Sequence, residues 1–150
     1  MVLFQRTHFL NKHKLITAIP AVTAAKFIAR KQWFVAGDQG GYIHVYCYKA
    51  MQRLAHFKAH RSLHIQDLAV HPTEPYVLSA SLDEGNVKLW DWECTRIFEF
   101  ADFDHVYGVT FLNIKETDTF AVRGGGGIIK VSVLYHYFIQ NFSQSGNIAF

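Results

Sequence analysis

The sequence predicts an all-β fold, an open and partial β-propeller of about three blades. Three observations lead there. Val87-Lys88-Leu89-Trp90-Asp91-Trp92 is an alternating strand that ends in a Trp-Asp pair, and Trp90 follows His60 by 30 residues. The chain also repeats itself: Phe27, Val70 and Phe111 lie 43 and 41 residues apart, and Ile43, Val87 and Ile129 lie 44 and 42 apart. That is the period of a four-stranded blade. Finally, 50% of the 150 residues are hydrophobic and 15% aromatic, which suits a folded, sheet-rich core rather than a disordered chain.

Each unit reads as strand, turn, strand, turn, strand. The first runs from Ala24-Ala25-Lys26-Phe27 through Trp33-Phe34-Val35 to Tyr42-Ile43-His44-Val45-Tyr46. The second runs from Asp67-Leu68-Ala69-Val70 through Tyr76-Val77-Leu78 to Asn86-Val87-Lys88-Leu89-Trp90. The third runs from Gly108-Val109-Thr110-Phe111 through Thr119-Phe120-Ala121-Val122 to Ile128-Ile129-Lys130-Val131-Ser132. Ile43 and Val45, then Val87 and Leu89, alternate with His44 and Lys88, so the apolar residues are expected to face a neighbouring sheet. His71-Pro72-Thr73-Glu74-Pro75 breaks the ladder because proline lacks an N–H. Gly40-Gly41 and Gly85-Asn86 supply turns that tolerate positive φ. A fourth, outer strand is expected at Arg53–Phe57 and at Arg96–Phe100. The repeats therefore occupy about 19–58, 59–100 and 101–132. Residues 1–18 and 133–150 match no repeat and stay unassigned.

The middle unit has the residue order of a WD-repeat blade: a His, then a Ser, then an acid, then Trp-Asp. In such a blade these side chains share buried hydrogen bonds that brace it. The candidates are His60, Ser81, Asp83 and Trp90. The fit has a flaw, since the acid six positions before the tryptophan is Glu84 and Asp83 is seven before it. A hydrolase triad is rejected because no nucleophile-elbow glycines surround Ser81. The outer units are weaker: Tyr46 and Ser132 stand at the Trp position. In the third, the polar positions of strand and turn fall on Gly124-Gly125-Gly126-Gly127. Those glycines are read as a lax turn, because a strand follows them rather than the helix a phosphate-binding loop needs.

Other chemistry is excluded or weak. The net charge of +3 is too mild to imply nucleic acid. No acid precedes Asp38, whereas Arg6, Lys12, Lys14, Lys26, Arg30 and Lys31 do. A transit peptide is disfavoured because the first serine is Ser62. A basic nucleic-acid arm would need a clustered face, and Lys26 to Lys31 is better explained as a strand and its turn. Cys47 and Cys94 are too few for a metal site and are expected as free thiols in a reducing compartment. The nine histidines form no ligand cluster, so no metal and no cofactor is expected. Asp102 and Asp104 lie in a loop without a base partner, so no catalytic residue is assigned. No apolar run is long enough to span a bilayer, and a cytosolic chain is expected.

Ala24-Ala25-Lys26-Phe27-Ile28-Ala29-Arg30-Lys31-Gln32-Trp33, Ala69-Val70-His71-Pro72-Thr73-Glu74-Pro75 and Val87–Trp92 resemble the amino-terminal propeller of the coatomer beta-prime family. The resemblance covers roughly residues 19–132, as the second to fourth of seven blades, and fades after about residue 100. It implies a non-enzymatic protein of vesicle-mediated transport, within the Golgi and from Golgi to endoplasmic reticulum. It implies other coatomer subunits as partners, and peripheral contact with Golgi membranes and COPI vesicles through the coat. The family also reads dilysine signals on cargo tails, with acids for the ammonium groups and basic residues for the terminal carboxylate. Here the matching positions are substituted: Thr23, Leu63, Gln66 and Leu82. Weak or absent dilysine binding is expected. Two further readings stay open. One is a truncated or divergent WD-repeat product without independent activity. The other is a generic peptide- or RNA-binding WD-repeat module using the basic amino-terminal region. An enzyme is not expected.

Overall fold

The computed structural model describes residues 20–61, 64–101, 103–114 and 117–134. Among the described residues, eleven strands form three antiparallel sheets in chain order. The first sheet, blade 1, contains β1 (Val22–Ile28), β2 (Trp33–Asp38), β3 (Tyr42–Cys47) and β4 (Gln52–Lys58). Blade 2 contains β5 (Ile65–Val70), β6 (Tyr76–Ser81), β7 (Asn86–Asp91) and β8 (Arg96–Phe100). Blade 3 shows three strands among the described residues: β9 (Val106–Ile114), β10 (Thr117–Gly124) and β11 (Ile129–Val133). Strands pair in sequence order within each sheet, and the first strands β1, β5 and β9 pack side by side. This is the arrangement of propeller blades around an axis.

The outer strands β4 and β8 lie where the sequence places them, each a little longer than or equal to the expected segment. β11 continues to Val133, and Leu134 is buried in the core, so the third repeat extends past residue 132. Residues 1–19 and 135–150 lie outside the described residues.

Two apolar layers hold the blades together. Between blades 1 and 2, Ile28, Val35, Ile43 and Val45 meet Ile65, Leu68, Val77 and Trp90. Between blades 2 and 3, Leu78, Val87, Leu89 and Phe100 meet Val106, Val109, Phe120 and Val122. The middle blade is therefore apolar on both faces, as a sheet buried on both sides must be. The approach is close at Gly37, where a Cβ would stand 2.5 Å from Cγ2 of the fully buried Ile65.

The turns use glycine where the backbone demands it. Gly85 has φ +60, and a Cβ there would lie 1.9 Å from the Phe103 carbonyl oxygen. The Phe103 N–H in turn donates to the Gly85 carbonyl at 3.3 Å, tying the blade 2 turn to the entry of blade 3. Gly125–Gly127 form a 3-10 turn, whereas Gly124 belongs to β10 and is buried. The four-glycine run is thus partly strand rather than wholly turn. Gly126 has φ +66, and a Cβ there would meet nothing within 4 Å. Gly85→Ala is expected to lower stability by more than about 2 kcal/mol, from left-handed backbone cost plus collision. Gly126→Ala should cost only about 1 kcal/mol, because it carries the backbone cost alone. Urea unfolding midpoints of the two variants check the difference.

Candidate functional site: the buried polar hub of blade 2

Ser79 is the centre of the hub. It lies on β6, on the face turned toward blade 1, and is fully buried. Trp90 Nε1–H donates to Ser79 Oγ at 2.8 Å, and Ser79 Oγ stands 2.8 Å from His60 Nε2. The other ring nitrogen, Nδ1 of His60, is 3.1 Å from Glu84 Oε2 and 3.0 Å from Asn86 Oδ1. Both are acceptors, so the ring proton sits on Nδ1 and Nε2 accepts from the serine. Asn86 Nδ2 donates to Glu84 at 2.9 Å and to Glu99 at 2.6 Å. Lys88 Nζ donates to Glu84 at 3.2 Å and to the Ala59 carbonyl at 3.0 Å. The chain of donors thus runs from Trp90 through Ser79 and His60 to an acid that also neutralises a buried lysine.

Burial is the main cause that pushes the His60 pKa below its ordinary value, and the nearby Lys88 charge adds to it; Glu84 and Asn86 oppose. The ring is therefore neutral at neutral pH, as the hydrogen-bond pattern requires.

The structure brings His60 and Trp90 together, and it corrects the other two expected members. Ser81 stands on the same face of β6 two residues further along, at the strand end, where its Oγ accepts from the Glu84 N–H at 3.4 Å. In the register, Val77 lies opposite Trp90, Ser79 opposite Lys88 and Ser81 opposite Asn86. A step of two residues carries a side chain about 7 Å along the strand, out of the indole's reach. Asp83 is exposed in the turn, while Glu84 lies beside His60 and Lys88, its side chain 14% exposed. The position six before the tryptophan was the available signal for Glu84. For Ser79 the sequence carried no discriminating signal, since a period of two puts Ser79 and Ser81 on the same face of the strand.

The hub belongs to blade 2 alone because its central serine does. Strand pairing makes Ala36 the counterpart of Ser79 in blade 1 and Val122 the counterpart in blade 3. Tyr46 and Ser132 stand at the place of Trp90. Blade 1 has a different polar pair instead. The nearly fully buried Asp38 accepts from the Tyr42 N–H at 2.9 Å and pairs with His44 Nε2 at 2.8 Å. In the sequence His44 reads as a polar alternation position, and nothing there marks Asp38 as its partner.

At the rim, Thr23 Oγ1 is shared between the carbonyls of Gly37, at 3.2 Å, and Ile65, so it bridges β1 and β5. Gln66 sits in the irregular register of β5 between Ile65 and Asp67. Leu82 is in the turn after β6, and its carbonyl accepts from His105 Nδ1 at 3.4 Å. Leu63 and Asp102 lie outside the described residues. Thr23, Gln66 and Leu82 offer neither an acid for an ammonium group nor a cation for a carboxylate. Cys47 and Cys94 are both unbridged, and burial, with Asp91 adding to it, pushes the Cys94 thiol pKa up.

Comparison with known proteins agrees with this geometry. The WD domain, G-beta repeat family matches residues 51–91, which span β4 to β7 and the hub except Glu99. No curated protein sequence matches the chain. Among solved structures, the β-propeller domain of Cps50 (Swd1) from Myceliophteria thermophila superposes with a TM-score of 0.62 at 20% identity. The match covers 77% of this chain and 39% of that one, so this chain spans well under half the length of that structure.

Ser79→Ala should cost about 2–4 kcal/mol, since it orphans both the Trp90 N–H and His60 Nε2 in the interior. Asp83→Ala should stay within about 0.5 kcal/mol. Chemical denaturation of both variants checks this, and the reverse order would restore Asp83 to the hub. His60 also makes stability pH-dependent. Its folded pKa lies below the ordinary value of 6.5, so the unfolded chain binds the proton more readily. The contribution is full above 6.5 and is lost as pH falls through that value toward the folded pKa. His56 is shifted the same way, by burial first and then by His44 and Arg53, so the measurement is differential. The melting temperature should fall less steeply with acidification in His60→Gln than in the parent chain. The blades and the fold likeness together make this chain a partial β-propeller, and its residues 51–91 match the WD domain, G-beta repeat.

Proposed function

We propose that the chain is a non-enzymatic interaction platform, and that it serves as a coatomer beta-prime-like component of a vesicle coat. One observation carries the first half of this reading. Among the described residues, the Ser-His-acid constellation that could suggest catalysis is spent on bracing: Ser79 and His60 are fully buried, and each polar end has an internal partner. A nucleophile needs access to substrate, and Ser79 has none. Interaction through blade surfaces and loops is what remains for such a scaffold.

The finer half is supported by the three phrases that resemble the coat family. Ala24–Trp33 forms most of β1, the 3-10 turn Ala29–Lys31 and the start of β2. Ala69–Pro75 forms the β5 end and the following turn, where His71 Nδ1 accepts from the Thr73 and Glu74 N–H groups. Val87–Trp92 forms β7 and its exit. These are blade-forming segments, so they support a shared scaffold. On this reading the protein is cytoplasmic and reaches Golgi membranes peripherally, through other coat subunits. The uncharged Thr23, Gln66 and Leu82 argue against cargo-tail recognition by the dilysine route.

Affinity capture of the tagged chain from cell extract tests the reading, with a dilysine-tailed peptide titrated calorimetrically in parallel. Coatomer subunits are expected to accompany the chain, and the peptide is expected to give no binding at micromolar concentration. Capture without any coat subunit overturns the coat assignment. A micromolar dissociation constant for the peptide overturns the loss of the cargo pocket.

A further inference from the structure

We propose that the seam between blades 1 and 2 binds a short acidic segment of a partner protein, one aliphatic side chain entering the seam and carboxylates meeting Arg30 and Lys31. The inference extends the platform reading by naming a partner class, and it rests on no coat assignment. Every residue of the site lies in these two blades, which pack on each other through a shared apolar layer. Two turns meet at one end of the seam. The 3-10 turn Ala29–Lys31 leads into Trp33 of β2, and Trp92 and Cys94 lie between β7 and β8. Trp33 and Trp92 are half-buried and stand edge to face, their centroids 6.4 Å apart.

Three features of this corner point to one kind of occupant. The first is a pair of cations held over the rings. Arg30 and Lys31 are both exposed. The Lys31 ammonium lies 5.8 Å from the Trp33 centroid and 5.3 Å from that of Trp92, and the Arg30 guanidinium carbon lies 5.9 Å from Trp92. Neither takes part in an ion pair among the described residues. A guanidinium laid against a ring keeps its edge free for a carboxylate. Of the acids in the facing turn, Asp91 accepts from the Thr95 N–H at 2.8 Å and is held to its own turn, and Glu93 is exposed.

The second feature is the cleft beneath the rings. Ile28, Val77, Trp33, Trp92 and Cys94 line it, with Asp91 as its charged member. Its space is about 20 Å³, room for one methyl-sized group and not for a ring. The third feature is a donor: Trp92 Nε1 is buried without a hydrogen-bond partner among the described residues. A buried indole N–H ordinarily has one. A peptide supplies all three complements together: carboxylates for the cations, the tip of an aliphatic side chain for the cleft, and a backbone carbonyl for the indole. A free phosphate would meet the cations and leave the apolar cleft empty.

Calorimetric titration of the full chain with a capped peptide of four acidic residues around one leucine tests the site. A dissociation constant in the micromolar range is expected, with tryptophan fluorescence changing in step. The same peptide with serine for leucine should bind about tenfold more weakly, and one with amides for its carboxylates should not bind. Arg30→Glu and Lys31→Glu, both at exposed positions, should each weaken binding about tenfold with an unchanged far-ultraviolet circular dichroism spectrum. Arg61→Glu, exposed outside the seam, should leave binding unchanged. Trp92→Phe keeps a ring and removes the donor, and it should also weaken binding about tenfold. No binding at about a hundred micromolar, equal affinity for the leucine and serine peptides, or Arg61→Glu matching Lys31→Glu would each overturn the proposal. Absence of peptide binding with coat subunits still captured would remove this site and leave the coat reading standing.

Discussion

A blade in this molecule is a sheet that is apolar on both faces, and that constraint governs the rest. Blade 2 turns Leu78, Val87 and Leu89 one way and Leu68, Val77 and Trp90 the other, all of them buried. Neither face can be left in water without losing the burial that offsets the entropy of ordering the strands. Stability in such an array comes from neighbour contacts as much as from any blade itself. Close approach of the first strands reinforces this: Gly37 leaves room for Ile65, and Thr23 of β1 bonds the backbone of β5.

Within this apolar stack, blade 2 carries a polar chain built on Ser79, where blades 1 and 3 have Ala36 and Val122. The chain is tolerable because each member has a partner, down to Lys88, which meets both a carboxylate and a carbonyl. Remove the serine hydroxyl and the site becomes a set of unpaired buried groups; replace the whole set with apolar side chains and it need cost little. Ala36 and Val122 are that second solution. Blade 1 adds a smaller polar device, Asp38 holding its own turn through the Tyr42 N–H and orienting His44. The three blades therefore share a backbone plan while differing in how they fill one position.

Much of this plan is legible in the residues. The spacing of Phe27, Val70 and Phe111 reports the repeat, because equivalent strand positions recur at the blade period. The outer strands expected at Arg53–Phe57 and Arg96–Phe100 fall where β4 and β8 lie. The hub is harder to read. Ser79 and Ser81 face the same way, and sequence order does not say which one reaches the indole; the pairing of Val77 with Trp90 does. Asp83 and Glu84 are adjacent acids in one turn, and the conformation of that turn decides which carboxylate faces inward. Gly124 reads as part of a turn and is strand, because the β10–β11 hairpin closes one residue later.

The sequence by itself determined that the chain is all-β, that it repeats, and that its middle unit is braced around His60 and Trp90. Periodicity and composition are local properties, and they survive without knowledge of neighbours. Only the tertiary structure decided the identities of the bridging serine and acid, since these depend on strand register and on which turn residue faces inward. It also decided that blade 2 is covered on both sides, by blade 1 on one and blade 3 on the other. Phe27, Ile129 and Val131 occupy strand positions of the repeat in the sequence. Their exposure, 71%, 68% and 60%, depends on what packs against each sheet, a property no single strand encodes.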